Sequence, residues 1–443
     1  MINSKSFISI SLLTLLNFII INYSVSFLDY KLPDSSSYLN HSPKYKSLYP
    51  FLINFVDTLN LNLIYVQILF LSFSIVFLSF LIFKKYNLFI SLILYIAIIL
   101  NFFYTSFSKT ILTESIFFSL INVGIGLFVI NNGKNINYYF YCLILALLFS
   151  IKSIGFIVVL CFLFLNFLRK DKFNYLKCFL IILLFVVLEN IIFYKKNDIR
   201  SSVLGEMILG KIFFLSGKQS FEIQKYPEIY KSILQKSKNY FAKTHITLNE
   251  IKNFPTKVEL KSDYEVIAQF QFYEELNTEE KKLYQDMYNN KILILGYLLK
   301  NNFIDYVNLS MSHFFGQWVA GFKQEYLKKN YLPKSEKILL SSGGIKITDS
   351  LMIKIGQNLL ILLFAFFQII FLISLIRFFL NKKGDSFYFI IFPQIYLLVV
   401  SFVNISTVRY LMPVYPIIIL ACLIFLKEIV NKKYVFSTRY RYS

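Results

Sequence analysis

Four ionisable side chains stand where long apolar runs begin or end: Asp34 in "KLPDSSSYLN" (31–40), Glu114 in "KTILTESIFFSLI" (109–121), Lys152 in "FSIKSIGFIVVL" (149–160) and Arg409 in "STVRYLMPVYPIIIL" (406–420). A charge at the edge of hydrocarbon is costly enough to be a functional candidate by default. A carboxylate among cationic side chains suits group transfer from a lipid phosphate. The carboxylate takes a proton from an acceptor hydroxyl, while Lys or Arg holds the phosphate and stabilises the charge left as it departs. Each residue also has a plainer explanation. Glu114 follows Thr113 at a helix start, where the helix dipole favours a carboxylate by about 0.3–1 kcal/mol. Lys152 and Arg409 can snorkel to the interface, and Asp34 in "PDSSS" can serve a turn. The gathering of all four on one membrane face favours the chemical reading.

The elements that must position them are membrane spans. The chain has 443 residues, 56% hydrophobic, 19% aromatic and only 16% charged, well below the roughly 25% charged of soluble domains. Apolar runs long enough for a hydrocarbon core of about 30 Å fall near 7–27, 60–83, 88–105, 111–130, 136–150, 153–168, 173–194, 352–377, 386–405 and 410–427. The expected fold is an all-α polytopic bundle of about ten transmembrane helices. The first run exceeds a signal-peptide core and lacks a small-residue cleavage site, so it reads as a retained helix.

Basic residues in short loops mark the cytoplasmic side. Lys84 and Lys85, Lys134, Arg169, Lys170 and Lys172, Arg377, Lys382 and Lys383, and the tail "NKKYVFSTRYRYS" all share one side if both termini are cytoplasmic. The other face then receives the loop 28–59, the turns near 106–110, 151–152 and 406–409, and the long segment 195–351. Three regions follow: a core, 1–194; an extracytoplasmic segment, 195–351; and C-terminal helices with a basic tail, 352–443. Within the segment, 206–217 and 303–322 keep aromatic and aliphatic residues at helical spacing. They are expected to lie along the interface, with Trp318, the only tryptophan, as an anchor. The rest reads as amphipathic soluble helix. No internal repeat of the kind found in inverted-repeat transporters is visible.

Other chemistries lose their motifs. His41, His245 and His313 form no HExxH, and there is no GxSxG, GxGxxG or phosphate-binding GxxxxGK[ST]. Cys142, Cys161, Cys178 and Cys422 lie inside apolar runs without CxxC spacing, so neither disulfides nor a zinc site is indicated. The charge of +21 accompanies abundant Lys, Asn, Ile, Phe and Tyr, as an AT-rich genome would produce. It does not point to a nucleic-acid partner.

The order of these passages resembles the GT-C superfamily of membrane glycosyltransferases, mannosyltransferase- or arabinosyltransferase-like enzymes that use polyprenyl-phosphate-linked sugars. "LPDSSSYL" looks like their first outer loop, which puts the catalytic base at Asp34. "SPKYKSLYPFLI" (42–53) resembles the stretch leading into the second helix, with Tyr49 and Pro50 matching. "KTILTESIFFSLI" resembles their acidic helix start, with Glu114 at the acidic position. "STVRYLMPVYPIIIL" resembles the late RY-x-x-P-x-x-P motif, with Arg409, Tyr410, Pro413 and Pro416 matching. In "FSIKSIGFIVVL", Lys152 and Ser153 replace the Arg-Pro of the family, a departure that bears on the phosphate role of Lys152. The resemblance covers spans one to seven and the last helices.

The resemblance implies inverting sugar transfer on the extracytoplasmic face of the cell (inner) membrane, with Asp34 catalytic and Glu114, Lys152, Arg409, Tyr410 and Tyr49 binding substrate. The donor is a lipid-linked sugar and the acceptor a glycan, lipid or protein. No cofactor follows; some members bind a divalent metal, but Asp34 and Glu114 alone do not argue for one. Two other classes remain open: a lipid or glycan transporter, which would place its charges nearer mid-membrane, and an O-antigen polymerase or ligase, which leans on arginines in its outer loops where the long segment 195–351 has only Arg200 among many lysines.

Overall fold

The computed structural model describes residues 4–26, 34–130, 136–169, 173–197, 203–252, 254–319, 351–380, 384–404 and 407–439. All regular structure among them is helical. In chain order the helices are α1 (Ser4–Ser24), α2 (Ser35–Leu39), α3 (Leu48–Thr58), α4 (Leu63–Lys85), α5 (Leu88–Leu100), α6 (Phe102–Thr105), α7 (Glu114–Ile130), α8 (Ile136–Ile151), α9 (Gly155–Arg169) and α10 (Tyr175–Tyr194). There follow α11 (Val203–Ser216), α12 (Lys231–Glu250), α13 (Phe254–Glu274), α14 (Thr278–Asn289), α15 (Lys291–Asn301) and α16 (Phe303–Gly316). The chain continues through α17 (Leu351–Phe379), α18 (Ser386–Val403), α19 (Val408–Leu411) and α20 (Tyr415–Arg439). Among the described residues, six helices are long and apolar enough to cross a membrane, or seven if the bent pair Leu88–Leu100 and Phe102–Lys109 counts as one span.

Ten spans were expected, and three of the runs give shorter helices. α7, α8 and α9 have 17, 16 and 15 residues, about 22–26 Å at 1.5 Å per residue against a core of about 30 Å. Polar features cut them short. Thr113 and Glu114 open α7, and the Lys152–Gly155 turn separates α8 from α9. Lys134, Lys170, Lys172, Lys382 and Lys383, on which the expected sidedness partly rests, lie outside the described residues.

Two compact units form: Met1–Arg200 with Ile361–Tyr396 and Leu411–Ser443, and Ser201–Leu360 with Leu397–Tyr410. In the first, α4 packs on α1, α5 and α7. Lipid offers no hydrophobic drive between helices, so close packing and polar contacts must hold them. The α4–α7 seam has both. Asn122 Nδ2 donates to Ser74 Oγ at 3.1 Å, Ser115 Oγ to the Gln67 carbonyl at 3.4 Å, and Gly126 lets Leu81 approach. Asparagines set the ends: the side chains of Asn62, Asn87 and Asn174 accept from backbone amides in the first turns of α4, α5 and α10.

The second unit is built around α11, which α12 to α16 surround. Leu209, Ile212, Phe213 and Leu215 are fully buried in its core. The sequence expectation for 206–217 was a helix lying along an interface; α11 instead has core on every side, and its apolar residues face neighbouring helices. Gly210 permits this, since a Cβ there would stand 2.5 Å from Gln269 Cγ of α13. Trp318 is 1% exposed, so its ring sits inside and not in an exposed anchoring position. The stretch 397–410, expected among the C-terminal membrane helices, joins this unit because Lys211, Tyr306 and Gln317 donate to the carbonyls of Asn404, Phe402 and Leu397.

Candidate active site

Asp34 immediately precedes α2 and is half-buried. Its side chain does not cap that helix. α2 stops at Asn40, and the chain turns through His41 at φ 49°, a left-handed conformation in which His is enriched. His41 Nε2 lies 3.1 Å from Asn54 Nδ2 of α3, which ties the two loop helices together.

The α2 helix is docked through Tyr38. The Tyr38 ring packs against Tyr45 and Tyr49, with centroids 4.7 and 5.3 Å away. Its hydroxyl lies 3.5 Å from Thr113 Oγ1. Thr113 donates to Glu114 Oε2 at 3.2 Å, so Tyr38 is the donor to Thr113. Lys152 Nζ donates to Glu114 Oε1 at 2.6 Å. A polar chain thus runs from the Asp34 helix through the start of α7 to the α8–α9 turn.

That ion pair is held in a dry setting. The Glu114 side chain is 2% exposed and that of Lys152 14%, and Lys152 Nζ stands 5.6 Å from the Phe117 ring centroid. A carboxylate so buried is tolerated because Lys152 and Thr113 satisfy it. Gly155 makes the turn possible: a Cβ there would stand 1.8 Å from the Leu148 carbonyl oxygen.

The structure therefore brings Glu114 and Lys152 into contact and hydrogen-bonds the helix that follows Asp34 to them. Tyr49 has a different task from the expected one. It is fully buried, donates to Gln67 Oε1 at 2.6 Å, and Gln67 in turn holds the carbonyls of Ser108 and Thr110 just before α7. Burial and the nearby Glu114 charge push the Tyr49 hydroxyl well above its ordinary pKa. Arg409 and Tyr410 belong to the second unit, where the half-buried Arg409 guanidinium stands 5.4 Å from the Tyr410 ring centroid. Among the described residues, no three His, Cys, Asp or Glu side chains are grouped to hold a metal ion.

Comparison with protein-family models, with curated proteins and with solved structures gives no match.

Two charged groups escaped the sequence reading. Glu189, inside the apolar run of α10 and 1% exposed, accepts from the Ser47 backbone amide at 3.0 Å and lies 3.6 Å from Lys46 Nζ. It pins the start of α3, in the same loop 28–59 that carries Asp34. A lone carboxylate in "FVVLENIIF" was the signal that could have found it. The other group lies in the second unit, where Lys211, Glu265 and His313 are fully buried. Lys211 Nζ stands 3.2 Å from Glu265 Oε1, and His313 Nε2 stands 2.5 Å from Glu265 Oε2. Burial lowers the Lys211 and His313 pKa values. For Glu265, burial pulls upward but the Lys211 and His313 partners prevail, and its pKa is lowered. An amphipathic helical pattern gives no sign of such a group.

Proposed function

We propose that the chain is a GT-C-type membrane glycosyltransferase that moves a sugar from a polyprenyl-phosphate donor to an acceptor hydroxyl, with inversion. The observation that carries this reading is the polar chain Tyr38–Thr113–Glu114–Lys152, which fastens the Asp34 helix beside a buried ion pair. Asp34 takes the acceptor hydroxyl proton. The oxygen bonds to the anomeric carbon as the bond from that carbon to the phosphate oxygen breaks, and the lipid phosphate leaves with the electron pair. Lys152 has three N–H donors; one is committed to Glu114, and the others are offered to the departing phosphate. Glu114 acts on substrate only through Lys152, as a positioning residue. Arg409 and Tyr410 enter as substrate-binding residues on their sequence motif alone. The finer membrane arrangement belongs to the same proposal: about ten helices, both termini cytoplasmic, and the site on the extracytoplasmic face of the inner membrane.

The test is transfer from a radiolabelled polyprenyl-phosphate sugar in membranes carrying the native chain or Asp34→Asn at matched expression. The asparagine keeps the shape and removes the base, so transfer should fall at least a hundredfold, toward the upper part of the range of general-base contributions, about 10²–10⁴. Equal transfer by both chains would return Asp34 to a turn role.

A further inference from the structure

A polar seam follows the contact of α11, α13 and α16 in the second unit. Lys211, Glu265 and His313 form its deep end. Lys261 lies four residues before Glu265 on α13, and Lys257 four before that, so the three share a helix face. Lys261 Nζ donates to Ser312 Oγ of α16 at 3.0 Å. At the shallow end, just past α11, Lys218 Nζ donates to Asp305 Oδ1 at 2.6 Å and Ser220 Oγ to Asp305 Oδ2 at 2.9 Å. His245 of α12 closes the side. Its Nε2 lies 2.6 Å from the Phe214 carbonyl oxygen, and with Phe241 it crowds Gly217, where a Cβ would stand 2.5 Å from Phe241 Cβ and 2.9 Å from His245 Cδ2.

The charges at this mouth do not cancel. Asp305 neutralises Lys218, but no carboxylate among the described residues is in ion-pair contact with Lys257 or Lys261. Burial together with the Lys257 and Lys218 charges pushes the Lys261 ammonium down to about 8. His245 is lowered by burial, with Lys218 and Lys261 contributing. The fold therefore holds mutually repelling cations together, and an anion among them would relieve that repulsion.

We infer that the mouth of this seam, formed by Lys218, Lys257 and Lys261, binds a phosphate-class dianion. A phosphate monoester carries about −1.5 to −2 charges at neutral pH, which matches the two uncompensated ammonium groups; a single carboxylate would leave one of them unpaired. The chemistry is shared by a lipid headgroup and a soluble phosphate compound. No residue of the sugar-transfer proposal takes part, so the two stand or fall separately.

The test is calorimetric titration of the purified full-length chain, in nanodiscs of phosphatidylcholine, with inorganic phosphate. A second arm measures exclusion of phosphatidic acid from the bulk lipid of mixed nanodiscs. Saturable binding in the first arm assigns a soluble source, and selective enrichment of phosphatidic acid in the second assigns a headgroup; either supports the site. Lys261→Met keeps the packed stem and should weaken binding about tenfold or more. Lys257→Gln, one turn away on the same helix face, should weaken it several-fold and covers the case in which the first variant does not fold. The groups facing Lys261 are Lys257 and Glu265 on its own helix, Lys218, His245 and His313. Near pH 8 a bound dianion raises the Lys261 pKa, so titrations in buffers of different ionisation enthalpy should show proton uptake in the native chain and in Lys257→Gln, and none in Lys261→Met. Absence of phosphate-class binding in both arms, or affinity unchanged in both variants, overturns the inference.

Discussion

The two units bury charge in different ways. In the first, the Glu114–Lys152 pair sits where α7 begins and α8 turns into α9, with the lysine side chain still 14% exposed. In the second, Lys211, Glu265 and His313 are sealed between helices at 0% exposure. The Lys152 ammonium still meets the surface, whereas the triad is shut in between helix faces, with Lys211 also donating to the Asn404 carbonyl. On the proposed function, this difference in exposure separates charge placed for chemistry from charge that specifies packing.

The largest expected effect falls on the sealed triad. Glu265→Gln leaves Lys211 buried without a counter-charge and should cost about 3–5 kcal/mol in the unfolding of the purified chain. Adding Lys211→Met should recover most of that loss; if the double variant is no more stable than the single, the triad is not an electrostatic unit. Glu114→Gln removes one partner from a less sealed pair, and a smaller loss of about 2–3 kcal/mol is expected. The same variant should cut transfer activity more than Asp34-independent folding would explain, measured per folded molecule. If the stability losses of Glu265→Gln and Glu114→Gln come out in reverse order, exposure is not what distinguishes the two groups.

Titration offers a finer contrast. The native His313 pKa is held below its unfolded value by burial and by Lys211, so between the two the unfolded chain binds more protons. Stability therefore falls as pH drops below about 6.5. Glu265, with a lowered native pKa, adds a second loss as pH falls below about 4.5. His313→Gln should flatten the first limb of Tm against pH and leave the second. An unchanged profile would place the titrating group elsewhere. The smallest effect on stability belongs to Asp34→Asn. The asparagine keeps the size and one acceptor oxygen of this half-buried side chain, so the change should stay within about 1 kcal/mol, and any loss of transfer per folded molecule is read as chemistry.

Much of this was legible along the chain. Apolar runs report burial or membrane residence locally, and each of the ten runs contains a helix. Thr113 and Glu114 at a helix start were readable for the same reason, since capping and dipole preferences act within one turn. Tyr49 was assigned to substrate because its position in a motif carries no record of Gln67, eighteen residues on, which takes its hydroxyl. Glu189 was passed over because an apolar window averages one carboxylate away.

Composition and period thus established, without any coordinates, a helical chain with membrane-length segments and a charged helical insert between its seventh and eighth apolar runs. Which charges meet was decided only by the tertiary structure. Glu114 and Lys152 are 38 residues apart, Ser47 and Glu189 are 142 apart, and Glu265 and His313 are 48 apart. Helical propensity and hydropathy act over a few residues, whereas an ion pair depends on where two distant helices are brought to rest, and that is set by the packing of the whole unit.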